Sequence, residues 1–135
     1  MKKPDYNVTI AKVILEINAL SGGYMEQILY EVFAQSTMSV MSSMAGIKLE
    51  PYKPGPDDNV STFVTGALGL TGDVTASISI SFSKGAIDSI HNAIFADEKE
   101  ISFSGIGDLV GEISNMVWGT ARKLLADKGL TVDAS

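Results

Sequence analysis

From Val74 to Phe82 the chain alternates without a break. Val74, Ala76, Ile78, Ile80 and Phe82 form one set, and Thr75, Ser77, Ser79 and Ser81 form the other. Successive side chains of a strand point to opposite faces, so this run predicts a strand with one buried and one polar face. Val60 to Leu70 supplies a second strand, and Thr71-Gly72-Asp73 between them reads as the turn of a hairpin.

The rest of the chain reads mostly at helical period. Tyr24 to about Ala45 keeps Met25, Ile28, Leu29, Val32, Phe33, Val40 and Met44 on one side, with Gly46 as a stop. Lys84 to Phe95 predicts a helix with Ile87, Ile90 and Ile94 inward, and a charged turn, Asp97 to Glu100, follows it. A long apolar-periodic segment runs from about Ile106 to Leu125, ends near Lys128 with Gly129 just past the end, and precedes a short strand, Leu130 to Asp133. Ile47 to Glu50 is a short strand candidate, and Pro51 to Asn59 is a loop. Residues up to Leu20 are ambiguous: Val8, Thr9, Ile10, Val13, Ile14 and Ile17 favour a strand, yet their spacing also permits a short helix. Ser21-Gly22-Gly23 is a linker or turn. The pattern is α+β, a two-layer sandwich of long helices on a largely antiparallel sheet. Residues 1–23 form an N-terminal extension with a possible extra strand, and 24–135 the main domain.

At 135 residues this is one domain, and a net charge of −6 argues against nucleic acid and against an anionic membrane surface as partners. There are no cysteines, no signal-peptide pattern and no run of about 18 apolar residues, so a cytoplasmic protein is expected. A single histidine, His91, is too few for a His-based zinc cluster and has no nucleophile elbow to serve; its place bordering the Ile87–Ile90–Ile94 face fits a core-edge or surface residue. Asp57-Asp58 lacks further oxygen ligands at suitable spacing, so no metal or cofactor of its own is expected. The remaining chemistry must run on carboxylates, amides or a partner's groups.

The helix from Ile106 carries the candidates. At about 100° per residue, Asp108, Glu112, Asn115 and Gly119 fall within roughly 60° of arc, opposite Ile106, Val110, Ile113, Val117, Ala121 and Leu124. Glycine inside an exposed helix costs about 1 kcal/mol relative to alanine, so Gly119 hints at close approach by something else. Met116 and Trp118 flank the stripe and suit either a docking surface or the edge of the core.

Asp108, Glu112 and Asn115 match residue by residue the motif of the CheC/CheX/FliY chemotaxis phosphatases, which this chain resembles. Ala67-Leu68-Gly69-Leu70-Thr71-Gly72-Asp73-Val74 looks like that family's hairpin, Gly111 to Gly119 like its active helix, and Lys128 to Asp133 like the strand that follows. The resemblance covers about Tyr24 to Asp133 and implies a CheC-like fold. CheC-like members carry two motifs. Here Glu31 is followed three residues on by Ala34, so one motif remains, similar to the CheX arrangement, which implies a homodimer. The family usually continues past the last strand, whereas this chain stops at Ser135 and has about twenty extra residues in front. Tyr6 to Leu20 is therefore expected either to supply a strand that relatives take from their C-terminus, or to belong to a truncated chain.

The resemblance further implies hydrolysis of the aspartyl phosphate on a CheY-like response-regulator receiver domain. Glu112 and Asn115 would be catalytic, Asp108, Met116, Trp118 and Gly119 would dock the partner, and magnesium would sit on the receiver. The alternatives are a non-catalytic receiver-binding or flagellar-switch-type module using the same face, and a structural dimer domain with a vestigial motif.

Overall fold

The computed structural model describes residues 10–52, 62–95 and 102–135. In chain order the elements are β1 (Ile10–Ala19), α1 (Gly23–Ala45), β2 (Lys48–Tyr52), β3 (Val64–Gly72), β4 (Ala76–Phe82), α2 (Lys84–Ile94), α3 (Phe103–Asp127) and β5 (Val132–Ala134). One five-stranded sheet runs β2-β1-β4-β3-β5. Only β1 and β2 pair in parallel, with α1 as the crossover between them, so the α+β, largely antiparallel expectation holds.

The ambiguous first segment is a strand, inside the sheet between β2 and β4. Val13 pairs with Phe82, Leu15 with Ile80 and Ile17 with Ile78, which puts their side chains on the face already committed to the core. β2 matches only the first half of β1, from Ile10 opposite Lys48 to Ile14 opposite Tyr52. The turn after β1 is closed by Glu26, whose Oε2 accepts from the Ala19 N–H at 2.9 Å.

One core joins the sheet to all three helices. Val13, Leu15, Ile78, Ile80 and Phe82 of the sheet meet Leu29, Phe33 and Met41 of α1, Ile87 and Ile90 of α2, and Ile113, Val117, Ala121 and Leu125 of α3, all buried. Each such fully buried Leu, Ile or Phe contributes about 1.5–3 kcal/mol. α1 rests on β1 and β2, while α3 rests on β3 and β5 and packs along α1. Leu125, not Leu124, is the fully buried leucine of the last α3 turn, because the buried arc of this helix drifts as 3.6-residue turns accumulate.

Two glycines let backbones approach. A Cβ at Gly66 on β3 would collide with Ser114 Oγ and press on Val110, so its absence sets how closely α3 lies on the sheet. Gly72 has φ +104, and a Cβ there would meet Thr131 O at 2.7 Å; both the turn and the approach of β5 require glycine.

The alternating strand starts at Ala76 rather than Val74, because β3 runs on through Gly72 and shifts the turn to Asp73–Thr75, and within the strand the alternation is broken at one position. Ser81 is buried rather than solvated, and its hydroxyl is satisfied by Thr65 Oγ1 at 2.8 Å. β5 starts two residues later than Leu130 because the helix end uses those groups. Gly129 N donates to Ala126 O and Leu130 N to Leu125 O, both at 2.9 Å, and Thr131 N donates to Asp73 Oδ2 at 2.8 Å. β3 begins at Val64 and ends at Gly72, against the expected Val60 to Leu70, and β2 reaches Tyr52. Asp57-Asp58, the Asp97–Glu100 turn and Tyr6 to Thr9 lie outside the described residues. Among the described residues no helix is long and apolar enough to cross a membrane.

Candidate functional site

The site rests on α3. Ser102 caps the helix, its Oγ accepting from Gly105 N at 3.1 Å. Ile106, Leu109, Val110, Ile113, Val117, Ala121 and Leu125 then bury one broad face. That burial fixes the rotation of the helix about its axis and so determines what the other face presents. Asp108, Glu112, Asn115 and Gly119 are all exposed, in line along it. The four positions set apart by spacing are thus brought together on one open surface. Among the described residues, the side chains of Asp108, Glu112 and Asn115 have no hydrogen-bond or ion-pair partner. A Cβ at Gly119 would meet nothing within 4 Å, so nothing inside the chain requires the glycine.

The two flanking residues behave differently. Met116 is 36% exposed and open to a partner. Trp118 is half-buried and stacks on Phe33 of α1, ring centroids 6.3 Å apart and planes 15° from parallel. Its first task is to lock α3 against α1, and only part of the ring is left to touch anything else.

Ser114, next to Asn115, is turned into the protein against Gly66, and its Oγ is buried with no hydrogen-bond partner. Adjacent residues therefore face opposite ways: Ser114 seats the helix on β3, and Asn115 points to solvent.

The spacing argument missed what lies beside the stripe. Asp108 and Glu112 also line an open groove of about 320 Å³ together with Met44, His91, Phe95 and Leu109. His91 is buried and its ring lies 5.3 Å from that of Phe95. The groove draws on the ends of α1 and α2 and the start of α3, so no single stretch of sequence signals it. Among the described residues no group of three or more His, Asp or Glu side chains is placed to hold a metal ion.

The arrangement offers a carboxylate and a carboxamide one turn apart on a rigid, capped helix, open to a large partner and holding no nucleophile. It can orient a water or a cation supplied against it.

Comparisons with known proteins bear on this surface. The family model described as chemotaxis phosphatase CheX matches residues 64–135, which include the hairpin and all of α3. Among solved structures, the chemotaxis protein CheX of Desulfovibrio desulfuricans is 32% identical with a TM-score of 0.68, the match covering 80% of this chain and 73% of that one. The CheX of Vibrio vulnificus is 31% identical with a TM-score of 0.69, over 79% of this chain and 70% of that one. A CheC-like superfamily protein from Shewanella sp. PV-4 is 35% identical with a TM-score of 0.67, over 79% and 71%. No curated protein matches the chain.

Proposed function

The chain belongs to the CheX family of chemotaxis phosphatases, and from that premise we propose that it hydrolyses the aspartyl phosphate of a CheY-like receiver domain, with Asn115 holding the attacking water. The observation that carries this reading is the pairing of Glu112 and Asn115, both exposed and without an internal partner, on a helix whose other face is fully committed to the core.

An acyl phosphate is already activated, so its hydrolysis chiefly needs a water placed in line with the phosphorus. A carboxamide suits this. Its oxygen accepts from the water while its NH₂ group stays available to donate. No strong base is needed, because the transition state is loose and proton transfer is late. Glu112, one turn earlier, reaches a lysine of the receiver and fixes the docking angle by a charge-assisted hydrogen bond. Asp108 and Met116 extend the contact, and Gly119 admits the partner's backbone. Magnesium on the receiver neutralises the phosphoryl charge, and this chain supplies no metal. The active site is composite, and the docked pair assembles it. We carry the homodimer into the same proposal; light scattering coupled to size exclusion tests it.

The deciding experiment is phosphate release from an acetyl-phosphate-charged receiver domain, comparing wild type with Asn115→Ala. Acceleration by wild type that falls by about 10²-fold or more in the variant, with receiver binding retained, supports the reading. Equal behaviour of the two proteins, with binding weakened instead by Glu112→Ala, would make this a receiver-docking module.

A further inference from the structure

We propose that the groove beside the stripe is a second anchor point for the receiver, taking one long basic side chain, arginine or lysine, from a surface outside the phosphorylation site. The proposal rests on the reading of this chain as a receiver phosphatase and adds what holds the partner in register.

The groove, about 320 Å³, has two kinds of wall. Met44, Phe95 and Leu109 are apolar, and Phe95 remains 43% exposed at the end of α2. Asp108 and Glu112 are the acidic wall, and among the described residues neither makes a hydrogen bond or an ion pair; the buried His91 completes the lining. A purely apolar occupant would cover both carboxylates without pairing them, which costs free energy. A metal ion would find too few oxygens here for a hard cation, and among the described residues no three His, Asp or Glu side chains, His91 included, are placed to hold one. A basic side chain satisfies both walls at once. Its methylene stem lies against Met44 and Leu109, and its charged head reaches Asp108. The ring of Phe95 adds a face for a guanidinium. The net charge of −6 favours approach by a basic surface.

The groove shares Asp108 and Glu112 with the stripe, so one receiver contacts both. Asp108, a full turn before Glu112 on α3, then divides the labour: Glu112 and Asn115 address the reacting end, and Asp108 the distant basic residue. Two anchors fix rotation as well as position, which an in-line water requires.

The test follows phosphate release over a range of concentrations of a chemotaxis-type receiver charged with acetyl phosphate and magnesium. Wild type is compared with Asp108→Asn, Phe95→Ala and Glu31→Gln, the last removing one exposed charge on α1 away from the groove. Asp108→Asn and Phe95→Ala are expected to raise KM by about three- to tenfold, the loss being carried by KM rather than kcat, and Asp108→Asn to flatten the salt dependence of kcat/KM. Glu31→Gln should keep the wild-type KM. An unchanged KM in both groove variants, beside an active wild type, overturns the anchor and leaves the phosphatase reading standing. Should wild type prove inactive, binding to the beryllofluoride-activated receiver decides. Binding weakened by Asp108→Asn supports the anchor while the hydrolytic reading fails, and no binding overturns both. Variants that alter self-association instead would assign the groove to a second copy of this chain and overturn the proposal.

Discussion

Two long helices, α1 of 23 residues and α3 of 25, lie against each other on the same sheet. α1 buries Leu29, Val32, Phe33, Ala34, Ser36, Thr37, Val40 and Met41, which at 100° per residue spans roughly 200° of its circumference. α3 buries roughly 160°. The difference decides what each can do. Where α3 presents Asn115 to solvent three residues after Glu112, α1 has Glu31 followed by Ala34, and Ala34 is only 8% exposed. α1 also buries two hydroxyls, Ser36 and Thr37, each donating back to a carbonyl four residues earlier at 2.7 Å. One helix is spent on packing around more than half its circumference. The other keeps a polar face free because its partners, β3, β5 and α1, all lie on one side.

The contrast can be broken at the platform beneath α1. Deleting residues 1–21 removes β1 and with it the buried Val13, Ile14 and Leu15, along with the strand that joins β2 to β4. No cooperative thermal transition should remain by circular dichroism, since the loss exceeds the whole stability of a domain, about 5–15 kcal/mol. A truncated chain that still unfolds cooperatively would show that α1 and β2 need no β1.

On α3 the equivalent blow is chemical. Asn115→Ala should lower receiver dephosphorylation by about 10²-fold or more, equivalent to about 3 kcal/mol in the barrier, while leaving the melting temperature unchanged. The seat of the helix comes next: Gly66→Ala should cost about 1–3 kcal/mol by chemical denaturation, because the added Cβ would displace the buried Ser114 Oγ and press on Val110. Pairing it with Ser114→Ala should recover much of that loss, and full additivity would refute the contact as the cause.

Installing the missing amide on α1 sharpens the comparison. Ala34→Asn is expected to destabilise by about 1–3 kcal/mol, since the new carboxamide is placed where little water reaches, and to add no phosphatase activity to an Asn115→Ala background. The smallest effect is a gain. Gly119→Ala should stabilise the isolated protein by about 0.5–1 kcal/mol, because its Cβ meets open space, yet raise KM if the receiver backbone comes close there. A variant both more stable and fully active would remove Gly119 from the interface.

How much of this was legible depended on whether a signal was local. The alternation of Val74 to Phe82 and the helical spacing of Ile106 to Leu125 are repeated over many residues, and both elements are present, the strand from Ala76 and the helix from Phe103 to Asp127. Val13, Ile14 and Ile17 fit two periods at once, and only pairing to Phe82, Ser81 and Ile78 across the sheet settles them as a strand. The start of β5 depends on a hydrogen bond from Thr131 to Asp73, 58 residues away, which no window of sequence contains. At the site, the arc through Asp108, Glu112, Asn115 and Gly119 follows from helix geometry alone. That Trp118 stacks on Phe33 while Met116 stays open, and that Met44, Phe95 and Leu109 meet beside Asp108, are consequences of three helices converging.

Ser114 and Asn115 face opposite ways, so under the mechanism proposed above folding and turnover draw on separate side chains of the same helix. Mutational drift at Asn115 therefore meets no quality control: chaperones and proteases recognise unfolded chains, and this one stays folded. Such a variant would accumulate to normal abundance, still engage phosphorylated receivers and shield them from hydrolysis. A cell carrying it beside the wild-type copy would behave as though dosed with an inhibitor, its signal prolonged rather than merely less well terminated.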